Sequence, residues 1–241
     1  MTQVPERSSA GSAPALSLSQ RITGVLFSPR ATFESIVAHP QWVVILLLLT
    51  LVVAGAMYAF LSTPTGLQAM VDDAVLRQER SGTTVSDAQY QGMLQSGWLF
   101  KSIAVGSALF VGPLFTMLIA AVLFGVYGAM LGGGGSYKQT MAVVAHSGVV
   151  STLGYLVGLV IGFFKGTMSG ATNLGVLFPM IAEESFLSRF LGTIDLVWVW
   201  YLIVLAIGLG VLFRRTTSSI AMALFGLYLV IALGIAAFTG A

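Results

Sequence analysis

Two ionisable side chains lie in long apolar segments of the sequence, and they are the residues best suited to chemistry inside a membrane. His146 lies in the apolar segment 141–164, and Asp195 lies near the start of another, 193–213. An ionisable group within a membrane span is costly and by default indicates function. For Asp195 the competing interpretation is structural, because a carboxylate near a helix N-terminus complements the helix dipole. For His146 the competing interpretation is hydrogen-bonded packing.

The surrounding residues do not form a pattern typical of catalysis. Ser147 follows His146, but adjacent helix positions do not face each other, which disfavours a Ser–His nucleophile. The sequence has no cysteine and only one other histidine, His39, so it offers no metal-ligand set. The glycine-rich stretch 132–136 lacks the spacing of a phosphate-binding loop. We therefore predict a protein that is not an enzyme, with no cofactor and no metal.

The composition indicates a membrane protein. The chain is 56% hydrophobic and 8% charged, with a mean hydropathy of +0.92. A soluble domain carries roughly a quarter charged residues, so this chain lacks the polar surface that water requires. The net charge of +2 and the absence of a basic run exclude nucleic acid as a predicted partner.

Apolar runs long enough to cross a bilayer occur five times. The predicted fold is an all-α membrane protein with five transmembrane helices in a bundle over residues 41–241. The predicted spans are residues 42–61, 102–131, 141–164, 193–213 and 220–238.

Three polar segments accompany the predicted spans. Residues 1–15 are rich in Ser, Ala, Gly and Pro, which predicts a disordered tail. Residues 16–40 predict two short amphipathic helices, which lie in the membrane interface or pack on the cytosolic ends of the bundle. The insert 63–97 is predicted to cap the extracytoplasmic end, with Ser86 as the N-cap of a short helix.

Small residues recur at helical spacing in two of the predicted spans. Gly154, Gly158 and Gly162 lie on one face of the third span, and Ala121 and Gly125 lie on one face of the second. Small residues let helix backbones approach closely in lipid. We predict that these two faces pack together, and a homodimer face is the alternative.

Three segments carry a resemblance to a known family. They are LFSPRATFESIVAHPQW (26–42), SYKQTMAVVAHSGVVSTLG (136–154) and TIDLVWVWYLIVLAIGLG (193–210). In order and spacing the chain resembles the bacterial branch of the Yip1 domain family. The resemblance implies a five-span helical membrane protein. For bacterial relatives it implies membrane residence, sometimes as a companion of transport systems.

The arginine pair 214–215 lies in the short loop between the last two predicted spans and sets the expected orientation. Lys and Arg favour the cytoplasmic side of short loops. We therefore expect the N-terminus in the cytoplasm and the C-terminus outside, in a bacterial cytoplasmic (inner) membrane.

Three functions remain open at the level of sequence. The first is a non-catalytic membrane protein that binds or organises another membrane component. Membrane lipids and a membrane-protein partner or second copy are the expected partners. The second is a subunit or accessory of a membrane transport system, which predicts polar residues along an interior path. The third is an intramembrane enzyme, which requires a catalytic set at one depth; the sequence favours the first.

Overall fold

The computed structural model describes residues 15–168, 172–178, 180–181 and 185–238, without the side chain of Arg80. The predicted tail 1–15 lies outside this range except for its last residue. In the described part the secondary structure is helical, apart from one isolated bridge between Asn173 and Asp195.

The chain forms ten α-helices within the described residues. They are α1 (Leu18–Phe27), α2 (Pro29–Ala38), α3 (Val43–Leu61), α4 (Pro64–Arg80), α5 (Asp87–Gln95), α6 (Gly97–Leu123), α7 (Tyr137–Lys165), α8 (Phe186–Thr193), α9 (Leu196–Phe213) and α10 (Thr217–Phe238). A π-helical segment, Phe124–Met130, continues α6, and a 3-10 turn, Leu174–Leu177, precedes α8.

Five of these helices are long and apolar enough to cross a membrane: α3, α6 with its π-helical segment, α7, α9 and α10. This confirms the predicted fold class. All five helix starts differ from the predicted spans, by one residue at α3 and by five at α6, which begins at Gly97 instead of residue 102. Two of the differences follow from local capping. α7 begins at Tyr137, since Ser136 and Gln139 form a capping box. α9 begins only at Leu196, since Asp195 is its N-cap.

The helices α7 and α9 pack closely in antiparallel fashion at the centre of the bundle. α9 is the most buried of the five long helices. Near one end of the pair, Val197 of α9 fills the space left by Gly154 of α7. Near the other end the roles are reversed, and Val143 of α7 lies over Gly208 of α9. Two reciprocal valine–glycine contacts therefore set the separation and register of this helix pair.

The two N-terminal helices pack on the end of the bundle. Val25, Phe33 and Ile36 are fully buried, and an added Cβ at Gly208 would lie 3.1 Å from the Phe33 ring. The Gln139 side-chain amide donates a hydrogen bond to the Val37 carbonyl at 3.0 Å. These contacts show packing on the bundle, which is compatible with a position in the membrane interface, and the interfacial position stays a prediction.

Arg21 is the buried charge of this N-terminal pair. Its side chain is only 3% exposed, although the helical pattern of α1 suggests a polar-face position. The guanidinium donates to the carbonyls of Leu16 at 3.0 Å and His39 at 3.3 Å. Burial lowers the pKa of Arg21. One cation thus ties the start of α1 to the end of α2.

The polar insert forms α4 and α5. Ser86 caps α5 with a full capping box, as the sequence predicts. Ala69 of α4 is buried against Phe60 and Leu61 at the end of α3. The insert is therefore held to the end of the bundle opposite α1 and α2.

Candidate functional site

A cavity of about 550 Å³ lies among α3, α7, α9 and the connection before α9. We call it the α7 cleft, because residues of α7 from Ser151 to Gly162 line its length. Its other walls are contributed by Val53 and Phe60 of α3, Val197 and Trp198 of α9, and residues of the connecting segment. The cleft thus lies between three of the five spans.

The small-residue face of α7 lines this cleft. Gly154, Gly158 and Gly162 occur along it together with Ser151 and Tyr155. A Cβ added at Gly158 would meet no atom within 4 Å. Tyr155 donates its hydroxyl to the Met57 sulfur at 3.4 Å, which ties α7 to α3 beside the cleft. Of the three glycines only Gly158 borders open space, because Val197 lies against Gly154 and the Thr167 carbonyl oxygen lies close to Gly162.

A second cavity of about 250 Å³ adjoins the first along α7. The two cavities share Val53, Ser151, Thr152 and Trp198 as lining residues. The smaller one continues toward Val144 and is lined mainly by apolar side chains of α3 and α6. The face of α7 is therefore accessible over much of its length.

Asp195 lies at the polar end of the α7 cleft and holds that end together. Its Oδ1 accepts the backbone N–H groups of Val197 at 2.7 Å and Trp198 at 3.1 Å. Its Oδ2 accepts the hydroxyl of Thr172. The Asp195 N–H donates to the Tyr228 hydroxyl at 3.0 Å, and that hydroxyl donates to the Thr193 carbonyl. These bonds assign Asp195 the helix-capping role that the sequence offered as one of two interpretations.

Backbone pairing supports the same end of the cleft. The Leu196 N–H donates to the Thr172 carbonyl at 3.0 Å, and the Leu174 N–H donates to the Ile194 carbonyl at 2.8 Å. The Asn173 side-chain oxygen accepts the Val176 N–H at 3.3 Å. Its amide NH₂ makes no hydrogen bond within the described residues, so a donor is available at this end.

The small-residue faces of the second and third spans do not pair as expected. Gly154 packs against Val197 of α9, and Gly158 lies on the wall of the cleft. On the second span Ala121 is exposed, and a Cβ added at Gly125 would meet no atom within 4 Å. Spacing identifies a face without side chains but does not specify which helix packs against it.

Gly162 and Gly208 are two further positions where another part of the chain approaches a helix closely. A Cβ at Gly162 would lie 2.7 Å from the Thr167 carbonyl oxygen, so this glycine accommodates the chain that leaves α7. Gly208 was not singled out from the sequence. It lies in the LAIGLG stretch of α9, where Gly208 and Gly210 are two residues apart and so do not share a helix face, and their spacing gives no signal for the close approach to α7.

His146 lies apart from the cleft. It is fully buried, and its Nδ1 is 2.8 Å from the Ala142 carbonyl one turn earlier in α7. Its Nε2 has no hydrogen-bond partner within the described structure. Gly154, which lies level with Val197 of α9, is eight residues further on, about 12 Å along the helix. The structure therefore does not bring His146 and Asp195 together.

The neighbouring hydroxyl also turns back to its own helix. Ser147 donates to the Val143 carbonyl at 2.9 Å, so it does not bond to His146. Among the described residues no group of three His, Asp or Glu side chains is placed to hold a metal ion. The polar groups near the cleft are hydrogen-bond donors and acceptors, and this arrangement can bind and orient a ligand.

The fold and the cleft define a multi-span helical membrane protein built around the α7–α9 pair. Comparison with known families matches the Yip1 domain to residues 23–239, and the chain belongs to this family. This confirms the resemblance seen in the sequence.

A curated relative supports the same assignment. The chain is 28% identical over 217 residues to a protein of Bacillus subtilis (strain 168) called "Membrane protein YknW". The match covers 87% of this chain and 87% of the relative. No solved structure matches the chain.

Proposed function

We propose that this protein is a non-catalytic integral membrane protein that binds a membrane lipid through one acyl chain in the α7 cleft. The observation that carries the proposal is the open space beside Gly158 of α7, which lies between three spans. The cleft lining combines apolar side chains such as Val53, Phe60 and Leu159 with polar ones such as Thr172 and Asn173, a mixture that matches a lipid chain and its ester group.

The dimensions of the cleft fit one leaflet. Ser151 and Gly162 are eleven residues apart, which is about 17 Å along a helix. Half of the ~30 Å hydrocarbon core is about 15 Å. Because Val197 lies level with Gly154, Asp195 is only about 8 Å from Ser151 along the bundle, so a chain that enters at the Asp195 end places its upper part beside Ser151.

The polar groups fit the ester region of a lipid. The entrance carries Thr172, Asn173 and Asp195, whereas Val53 lies deeper in the cleft. The amide NH₂ of Asn173 is a donor suited to an ester carbonyl oxygen. Asp195 already accepts three hydrogen bonds, so it shapes the entrance instead of binding the ligand.

The experiment reduces the volume of the α7 cleft by a substitution in its wall. In Gly158→Leu the new side chain occupies the space beside α7. The matched control is Gly226→Leu, a glycine of α10 that is exposed and also has open space. Native mass spectrometry of protein extracted in a mild detergent measures retained phospholipid per chain. We expect retention in the wild type and the control and at least a tenfold loss in Gly158→Leu. Equal retention in all three proteins would refute the proposal.

We also propose that the protein resides in a bacterial cytoplasmic membrane with α1 and α2 on the cytoplasmic side. The Arg214–Arg215 loop and the α6–α7 connection lie at the same end as α1 and α2. Arg215 donates to the Leu131 carbonyl at 2.8 Å, and Gln139 contacts α2. The positive-inside rule supports this orientation. The expected protein partner or second copy stays a prediction.

A further inference from the structure

A second cavity with different chemistry lies at the opposite end of the bundle from the entrance of the α7 cleft. Its volume is about 610 Å³, and it lies between α2 and the loop that joins α9 to α10. The charged and polar side chains that line it are Arg30, Glu34, Arg214, Arg215, Thr216 and Thr217. Three arginines and one glutamate leave it with a net positive charge.

Two of the three guanidinium groups are available to a ligand. Arg215 is engaged, because it donates to the Leu131 carbonyl at 2.8 Å. Arg214 is exposed and makes no side-chain hydrogen bond or ion pair within the described residues. Arg30 is paired only loosely with Glu34, at 3.7 Å, and both side chains are more than half exposed.

The backbone at Arg214 adds a second observation. This residue is the C-cap of α9 and has a left-handed conformation, with φ of 54°. Glycine is the residue that adopts this conformation without a steric cost. An arginine in this conformation is sterically less favourable than a glycine, and its charged side chain lines the cavity.

The position of the cavity along the spans corresponds to the depth of lipid phosphates. α9 ends at Phe213 and α10 begins at Thr217, so three residues join two membrane spans. Such a loop lies at the edge of the hydrocarbon core. Thr217, the first residue of α10, lines the cavity beside the C-terminal end of α9.

We propose that this cavity binds the phosphate of an anionic phospholipid, with Arg30 and Arg214 as the main contacts. Guanidinium groups match phosphate oxygens in charge and geometry. Basic pockets between spans at the cytoplasmic side are suited to anionic headgroups. Val211 and Gly210 of α9 also line the cavity, which places an apolar wall beside the charges and favours a lipid over free phosphate. The proposal does not depend on the α7 cleft, because the two sites lie at opposite ends.

The test removes both available charges and compares headgroups. The variant is Arg30→Gln/Arg214→Gln, and the control Arg77→Gln/Lys165→Gln removes two exposed charges from the other end of the bundle. Binding of phosphatidylglycerol and of phosphatidylcholine to detergent-purified protein is titrated by native mass spectrometry, with inorganic phosphate as a competitor. We expect the wild type and the control to prefer phosphatidylglycerol. The variant should lose about tenfold or more in affinity for it.

A third variant keeps the test informative if the double variant does not fold. Glu34→Gln removes the carboxylate that competes for Arg30, so phosphatidylglycerol binding should tighten several-fold. The proposal is overturned if the wild type binds both lipids equally, or if Glu34→Gln leaves the affinity unchanged. If millimolar inorganic phosphate displaces phosphatidylglycerol, the site binds a soluble phosphate, and the proposal of a lipid ligand is overturned.

Discussion

Gly154 is the position where one added methyl group tests how α7 packs on α9. In Gly154→Ala the new Cβ would overlap the Val197 side chain, with the Val197 Cβ only 2.8 Å away. That carbon is bonded directly to the α9 backbone, so no rotamer change moves it. The helices must separate, and overpacking of this kind costs about 1–3 kcal/mol.

Gly158→Ala is the matched control, one turn further along the same helix. Its Cβ meets open space, so the variant has no steric cost. Both substitutions bring the same gain in helix propensity, up to about 1 kcal/mol. The propensity term cancels in the comparison, and Gly154→Ala should be about 1–3 kcal/mol less stable than Gly158→Ala.

The assay is reversible unfolding of the purified protein in mixed micelles with increasing sodium dodecyl sulfate. Val197→Ala is added to Gly154→Ala as a partial rescue, since it removes the two closest methyl groups but keeps the Val197 Cβ. The double variant should recover part of the loss. Equal stability of the two alanine variants, or no rescue by Val197→Ala, would refute the packing described for α7 and α9.

Three further predictions concern single residues at the ends of the bundle. Arg21→Met should lower the free energy of unfolding by about 1.5–3 kcal/mol, because charge-assisted hydrogen bonds to two carbonyls are lost. The same titration measures this loss, and a variant as stable as the wild type would contradict the prediction. Asp195→Ala should cost about 1 kcal/mol as a lost helix cap, whereas Asp195→Asn should retain most of it; equal losses would argue against capping. Because the chain has no cysteine, single cysteines can report its orientation. An impermeant maleimide applied to intact cells should label Ser81→Cys and leave Thr216→Cys unlabelled until lysis. The reverse pattern would show that the orientation is opposite to the proposed one.

The number and kind of helices could be predicted from the sequence because the signal is local. Apolar runs of span length dominate the chain, and residues such as Ser86 mark helix starts through bonds within four residues. The same locality made the family resemblance visible in short segments.

The pairing of helix faces could not be predicted in this way. Lipid is as apolar as a leucine side chain, so steric fit between surfaces selects the partner of a helix. Gly154 therefore meets Val197 of α9, although Gly125 shows the same kind of spacing. The burial of Arg21 depends on the turn that brings the His39 carbonyl beside α1. The sequence pattern of α1 alone does not predict this contact.

Photo-crosslinking from a lipid acyl chain shows whether the α7 cleft holds a membrane lipid. A phosphatidylcholine with a diazirine at mid-chain is incorporated with the protein into liposomes and irradiated, and the modified peptides are mapped by mass spectrometry. We expect adducts concentrated on the α7 segment 151–162 and the facing part of α3, and these adducts should be lost in Gly158→Leu and kept in Gly226→Leu. Adducts spread over the exposed faces of α6 and α10, with no enrichment in the cleft and no change in Gly158→Leu, would contradict this expectation.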